Sequence, residues 1–182
     1  MAKSKSAYSE PGKLGKSEHH IIVVWVDNEA GVLARVVGLF SGRGYNIESL
    51  AVAEIDKKQK LSRITLVTSG SPEVISQIKK QLEKLVPVHK VADFIRNDPN
   101  IIFRDMALLK VISAEKKRNK AKKMCSKFDS IVLDKTSKSI VIQVTALRSE
   151  IDKLVDDLKP LGLTSVSRTG AVAMTRGADV FK

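Results

Sequence analysis

Residues Asn28–Leu50 read NEAGVLARVVGLFSGRGYNIESL, which predicts a loop, an amphipathic helix and the entry to a strand. Apolar residues recur at i, i+3, i+4 and i+7, the spacing that buries one face of a helix. They are Leu33, Val36, Val37 and Phe40. Gly42 and Gly44 end the helix, because glycine adopts left-handed backbone geometry easily. The loop before the helix ends in Gly31, so we expect outward-facing N–H groups there, suited to a small anion such as an amino-acid carboxylate.

The apolar pattern on either side of this stretch predicts the element order β-α-β-β-α-β, and predicts it twice. The first copy has strands at His20–Asp27, Asn46–Ile55, Leu61–Thr68 and Val88–Ile95, with a second helix that starts after Ser71-Pro72. The second copy has strands at Met106–Ile112, Ser130–Leu133, Ser139–Thr145 and Thr164–Arg168, and helices over Glu115–Phe128 and around Ile151–Leu158. We therefore expect an α+β protein of two ferredoxin-like βαββαβ domains, each a four-stranded sheet with two helices on one face.

Polar and Pro-containing segments set the expected domain boundaries. Residues 1–18 are basic and lack the apolar core of a secretory signal, which favours a disordered arm over a cleaved transit peptide. Residues 19–96 form the first domain, residues 97–103 a linker that contains Pro99, residues 104–176 the second domain and residues 177–182 a tail. Apolar runs are far shorter than the roughly 20 residues needed to span a bilayer. The single cysteine fits a reducing compartment, so we expect a cytoplasmic protein.

The chain is strongly basic, with 32 Lys and Arg residues against 20 Asp and Glu and a formal net charge of +12. Most of the excess lies in the second half, above all in the run Lys116–Lys123. This run is expected opposite an apolar stripe that includes Ala121 and Cys125, where a solvated helix face is the default interpretation. The alternative is an electrostatic contact with an acidic surface or a polyanion.

The sequence contains no set of residues with the spacing of a catalytic or metal site. His19 and His20 are expected at a strand entry and His89 in a closing strand, and no further ligands lie at suitable spacing. Cys125 falls on an apolar helix stripe, which is typical of a small buried side chain rather than of a nucleophile. We therefore expect a protein without catalytic residues of its own.

The Asn28–Leu50 stretch closely resembles the ACT-domain motif of the small regulatory subunit of acetolactate synthase (acetohydroxyacid synthase). The similarity continues through Leu61–Thr65 and through QIKKQLEKLVPVHK at Gln77–Lys90. It reaches Val166–Gly170 and Thr175–Gly177 near the end of the chain. It covers about residues 19–178, whereas the arm and the stretch from Glu115 to Lys127 carry no signature of this family.

The resemblance implies an effector site between two ACT domains of a homodimer. Asn28 and the backbone of Gly31, Val32 and Leu33 would come from one chain, and Asn46 and Ile47 from its partner. The effector would be valine or a related branched-chain amino acid. Taken without the resemblance, the same residues have structural roles: an Asx turn at Asn28, a tight turn at Gly31 and a bend at Asn46.

The resemblance also implies a non-catalytic regulatory subunit that activates a catalytic acetolactate synthase subunit and mediates feedback inhibition in branched-chain amino-acid biosynthesis. Thiamine diphosphate, Mg²⁺ and FAD would then belong to the catalytic partner, and no cofactor, nucleic acid or membrane would bind this chain.

The alternative hypothesis is a basic RNA-binding protein, since RNA-recognition modules share the βαββαβ order. Those modules carry stacking aromatic residues on their central strands. The third strand, Leu61–Val67, has no aromatic residue, and the first strand offers only Trp25. The RNA-binding hypothesis is therefore the weaker of the two.

Overall fold

The computed structural model describes residues 18–95 and 98–178 of the chain. In the first half it has β1 (Glu18–Asp27), α1 (Val32–Ser41), β2 (Ser49–Asp56), β3 (Leu61–Gly70), α2 (Pro72–Leu82) and β4 (Val88–Ile95). In the second half it has β5 (Ile101–Ile112), α3 (Glu115–Cys125), β6 (Asp129–Lys135), β7 (Ser139–Ala146), α4 (Arg148–Leu158), β8 (Leu163–Arg168) and β9 (Val172–Thr175). A single 3-10 turn, Lys159–Leu161, joins α4 to β8.

The first half is an antiparallel sheet in the order β2-β3-β1-β4, with α1 and α2 on one face. Alternate residues of the central strand β1 point to opposite faces. Those on the helix side, Ile22, Val24 and Val26, enter a core that also contains Val36 and Phe40 of α1. β2 and β4 are the two edge strands, and β2 pairs only with β3 among the described strands.

The second half repeats this layout, with strands in the order β6-β7-β5-β8 and a separate core under α3 and α4. Its central strand β5 is 12 residues long, and its two ends pair with different strands. The C-terminal part of β5 pairs with β7 and β8, while its N-terminal residues, Ile101–Arg104, pair with β9. Together Ile101–Arg104 and β9 form a two-stranded ribbon that extends from the second sheet.

This β5–β9 ribbon covers the face of the first sheet that lies opposite its helices. Ile21, Val23 and Trp25 of β1 are buried against Ile101 and Phe103 of the ribbon. Ala173 of the ribbon and Ala171, which directly precedes β9, also belong to this third core. Arg63 of β3 reaches across it, with one guanidinium nitrogen 2.5 Å from the carbonyl oxygen of Ala173 and its charge 5.5 Å from the centre of the Trp25 ring. The two halves therefore share an apolar core, which adds a third packing layer to the two βαββαβ units.

The expected fold class is confirmed. The structure differs from the prediction in the bounds of three elements and in which face of α1 is buried. β2 starts at Ser49 rather than Asn46, because the chain is still returning from α1 at Tyr45, whose backbone N–H donates to the carbonyl of Phe40. β5 starts at Ile101, inside the expected linker, because residues 101–104 pair with β9, a strand that the sequence did not predict. The expected helix over Glu115–Phe128 ends at Cys125.

The predicted stripe of α1 is wrong at Leu33, whose side chain is 41% exposed. The buried face consists of Val32, Val36, Leu39 and Phe40. It is rotated from the predicted stripe because the helix begins at Val32, directly after Gly31, and Val32 itself packs into the first core. Residues 1–17 of the expected arm, Arg96 of the expected first domain, Asn97 of the linker and residues 179–182 of the tail lie outside the described residues.

Candidate functional site

The start of α1 has the geometry expected of a small-anion site. Gly31 precedes the helix with φ 85°, in the left-handed region that other L-residues adopt only with strain. Within the described residues no side chain caps this helix end, and its first turn contains no acidic residue. A Cβ atom added at Gly31 would meet nothing within 4 Å, so the space in front of the helix is open. The N–H of Val32 donates to the carbonyl of Glu29 at 3.4 Å, whereas the N–H groups of Leu33 and Ala34 have no partner among the described residues. These two groups and the positive end of the helix dipole are therefore available to a ligand.

Asn28 lies beside this helix start and is anchored by two contacts. Its backbone N–H donates to the carbonyl of Lys60 at 2.6 Å, and its side-chain amide nitrogen donates to Glu54 Oε1 at 3.1 Å. Asn28 and Glu54 are both exposed. The amide oxygen of Asn28 accepts no hydrogen bond from the described residues, so it remains available to a donor such as an ammonium group.

The two apolar residues expected at this end of the site have different environments. Val32 is buried in the first core, so only its backbone can serve a ligand. Leu33 is partly exposed on the outer side of the helix, which leaves its side chain accessible to a ligand or to a second chain. Leu33 was expected in the core, but the observed helix face leaves its side chain next to the open space in front of α1.

Asn46 and Ile47 lie at the other end of α1 in the same chain. The helix has 10 residues, so about 15 Å separates its two ends. Asn46 is exposed, and its backbone carbonyl accepts a hydrogen bond from the buried hydroxyl of Thr68 at 2.7 Å. Ile47 is half-buried against the first core. One chain thus brings together Asn28, Gly31 and Leu33 but not Asn46 and Ile47, and a complete site would need a second chain.

Sequence reasoning missed Glu54, which supplies a carboxylate next to Asn28. Glu54 belongs to β2 and Asn28 follows β1, and the two are separated by 26 residues. No spacing rule connects them, because their proximity depends on β3 pairing with both strands. An acidic side chain here adds an acceptor for a ligand's ammonium group.

His20 and His89 lie beside carboxylates, and Cys125 is buried in the second core. His20 is buried, with Nδ1 2.8 Å from Asp93 Oδ1, and His89 Nε2 lies 2.6 Å from Asp27 Oδ1. Burial raises the pKa of the Cys125 thiol to about 11, which keeps it protonated at neutral pH. Within residues 18–95 and 98–178 no group of three or more His, Cys, Asp or Glu side chains could hold a metal ion.

The basic run on α3 differs from the expected solvated face at one residue. Its lysines are exposed, but Arg118 is buried on the same side of the helix as Ala121 and Cys125 and donates to the carbonyl of Ser113. Arg118 therefore belongs to the packing of the second half. The lysines alone form the basic surface.

The structure gives no support to RNA stacking on Trp25. Its side chain is 8% exposed, because the β5–β9 ribbon covers that face of the sheet. None of the helices among the described residues is long and apolar enough to cross a membrane.

Comparison with known proteins gives the same family for both halves. Residues 22–90 match the acetohydroxyacid synthase small-subunit-like ACT domain, and residues 104–177 match the small subunit of acetolactate synthase. The chain is 40% identical over 160 residues to the acetolactate synthase small subunit of Bacillus subtilis, covering 87% of this chain and 91% of that protein. It is 39% identical over 167 residues to the small subunit of Aquifex aeolicus, covering 91% and 85%.

A solved structure agrees with these sequence relatives. The crystal structure of the acetolactate synthase small subunit from Thermotoga maritima superposes with a TM-score of 0.79 at 33% identity, covering 88% of this chain and 99% of that one. The fold and these matches thus define an ACT-type protein, in which an ACT domain is followed by a second ferredoxin-like domain. The chain belongs to the acetolactate synthase small-subunit family.

Proposed function

We propose that this chain is the regulatory subunit of an acetolactate synthase and that valine, bound between two ACT domains, is its feedback effector. In this role it binds the catalytic subunit, raises its activity and transmits end-product inhibition in branched-chain amino-acid biosynthesis. The observation that carries the proposal is the uncapped start of α1 at Gly31, open to the surface beside Asn28, in a chain of this family.

The chemistry of this surface suits an amino acid. The ligand's carboxylate would accept hydrogen bonds from the first N–H groups of α1, where the helix dipole also favours negative charge. Its ammonium group would donate to the amide oxygens of Asn28 and Asn46, with Glu54 adding a nearby negative charge. The branched side chain would contact Leu33 or Ile47, which are both accessible in part.

A homodimer through the ACT domains would complete the site. Asn46 and Ile47 of the partner would approach the α1 start of the first chain, since one chain holds its own two groups at opposite ends of that helix. The edge strand β2 offers unpaired backbone groups and the exposed side chains of Val52 and Ile55. Edges of this kind pair readily with a second chain. We therefore assign dimerisation to β2.

The catalytic subunit is the proposed protein partner. Thiamine diphosphate, Mg²⁺ and FAD are assigned to that subunit, and the assembly is placed in the cytoplasm. Feedback requires that valine and the catalytic subunit favour different arrangements of the regulatory dimer. Typical coupling free energies are about 1–3 kcal/mol, which correspond to about 5- to 150-fold changes in affinity.

Isothermal titration of the purified protein with L-valine tests the proposal, with L-lysine as the control. We expect saturable binding of valine and none of lysine, because lysine would place a second, hydrated ammonium group against the apolar side chains of Leu33 and Ile47. Reconstitution with the catalytic subunit should then show activation that valine reverses. Absence of valine binding together with absence of activation would contradict the proposed function.

A further inference from the structure

Residues 46–49, here the linking segment, join the proposed effector residues to the second half of the chain. Asn46 and Ile47 would face the effector, and Glu48 and Ser49 follow directly. Ser49 is the first residue of β2, and the backbone N–H of Glu48 donates to the carbonyl of Val67 at 2.8 Å. The linking segment is therefore fixed to the first sheet within two residues of the proposed site.

The first contact with the second half is made by Arg148, the first residue of α4. Both terminal nitrogens of its guanidinium lie 3.4 Å from the backbone carbonyl oxygen of Glu48. The Glu48 side chain is held separately, since its carboxylate accepts a hydrogen bond from Ser69 at 2.8 Å and lies 3.1 Å from His19 Nδ1. Arg148 therefore contacts the backbone of Glu48 and not its side chain, so a shift of that backbone would displace Arg148.

The second contact is the turn before β9. The backbone N–H of Ala171 donates to the Ser49 hydroxyl at 3.3 Å. Gly170 has φ 83°, and a Cβ atom there would lie 2.6 Å from Ser49 Oγ. The turn thus lies so close to the linking segment that only glycine, which has no Cβ, fits at position 170. Ala171 also enters the core shared by the two halves, so a shift of Ser49 would displace a packed residue.

We infer that Arg148 and the Gly170–Ala171 turn are the contacts through which an occupied effector site changes the arrangement of the second half. Packed cores change between discrete arrangements rather than deforming continuously, so a small displacement at Asn46–Ile47 would move these contacts together. Arg148, Gly170 and Ala171 are positioning residues, since none of them lies at the effector site itself. The inference rests on the proposed function and names its route of regulation.

The experiment uses full-length protein with Arg148→Ala and, as a matched control, Arg168→Ala. Arg168 is also a partly buried arginine of the second half, but it pairs with Asp152 of the same half at 2.6 Å. We expect Arg148→Ala to bind valine within about threefold of wild type and to activate the catalytic subunit normally without valine. The valine concentration for half-maximal inhibition should rise at least about tenfold, the effect of roughly 1.4 kcal/mol of lost coupling. Arg168→Ala should keep the wild-type response.

Hydrogen–deuterium exchange supplies a readout independent of activity. In wild type, valine should change exchange in α4 and in residues 169–171, and Arg148→Ala should lose that change. Ser49→Ala removes the acceptor of the Ala171 N–H without altering α4, and it should also lose the valine-dependent change in exchange. This second variant keeps the test valid if Arg148→Ala folds poorly. Valine binding with unchanged exchange in α4, or wild-type inhibition in Arg148→Ala, would overturn the inference and leave the proposed function standing. Absence of valine binding by wild type would overturn this inference and valine's proposed role as effector, and loss of activation as well would contradict the regulatory role.

Discussion

Gly31 combines two properties that a substitution can separate. Its backbone needs left-handed geometry at φ 85°, and its position in front of α1 is electrically positive. Asp and Asn have nearly the same shape, and both tolerate left-handed geometry better than other residues. They differ in charge, which makes them a matched pair for testing whether an anion binds here.

Gly31→Asp should weaken valine binding about tenfold or more relative to Gly31→Asn. Two like charges about 4 Å apart repel by about 1 kcal/mol in water and about 4 kcal/mol near a protein surface. Calorimetry of both variants measures the ratio. Thermal unfolding should show Gly31→Asp at least as stable as Gly31→Asn, since a carboxylate at a helix start is favourable. Equal valine affinities in the two variants would rule out the carboxylate site.

Asn46→Ala should weaken valine binding without loss of folded structure. The hydrogen bond from Thr68 goes to the backbone carbonyl of Asn46, so the substitution leaves it in place. The lost amide would cost about 0.5–1.5 kcal/mol for a single hydrogen bond, or about a 2- to 13-fold loss of affinity. Calorimetry with circular dichroism checks both parts. Wild-type affinity in a folded variant would remove Asn46 from the site.

The Cys125 thiol should be unreactive in the native protein and reactive once the chain unfolds. Its side chain is fully buried, and its pKa is raised from 9.0 to about 11. Labelling with a thiol reagent at pH 8 should therefore be slow in buffer and fast in denaturant. Stability should fall as pH rises from about 9 to 11, because the unfolded thiol loses its proton there while the native thiol keeps it. Fast native labelling at pH 8 would contradict this environment.

At the scale of elements, α1 shows how the start of a helix sets which face is buried. The pattern Leu33, Val36, Val37 and Phe40 satisfies the helical period as well as the observed face does. Periodicity alone did not separate the two, because α1 contains apolar residues at most of its positions. The start at Gly31 and the packing of Val32 select the observed rotation.

Phe40→Ala should destabilise the protein by about 3–5 kcal/mol, as large aromatic truncations in cores do. Phe40 is 1% exposed and stacks edge-on against Tyr45 at 6.2 Å between ring centres. Leu33→Ala on the same helix should cost less than about 1 kcal/mol, as substitutions outside the core usually do. Urea unfolding monitored by circular dichroism measures both. Similar losses in the two variants would contradict the observed helix face.

For the whole molecule, the shared core predicts that the two halves unfold together. Phe103→Ala should lower stability by about 3–5 kcal/mol and shift the fluorescence of Trp25, the single tryptophan, toward water-exposed emission. Met174 lies on the opposite side of the same ribbon and is 56% exposed, so Met174→Ala serves as the control. Unchanged Trp25 emission in Phe103→Ala would show that the halves are not coupled through this core.

Local sequence patterns were sufficient for the fold class and for most elements. The continuous apolar, β-branched run of β1, the Ser71-Pro72 start of α2 and the periodic apolar residues of α4 each act over a few neighbouring residues. Such short-range preferences are what a sequence pattern reports. The same reasoning identified Asn28 and Gly31 as flanking a helix start, and the structure places them there. Their binding of valine stays a prediction.

The sequence by itself determined two βαββαβ units and the residues at the start of α1. Tertiary structure alone decided that β9 pairs with β5, that the resulting ribbon buries Trp25, and that Arg148 reaches Glu48 across 100 residues of chain. The physical reason is that these contacts join segments far apart in sequence. Each segment has several plausible partners, and the choice among them is made by packing the whole chain rather than by any local preference.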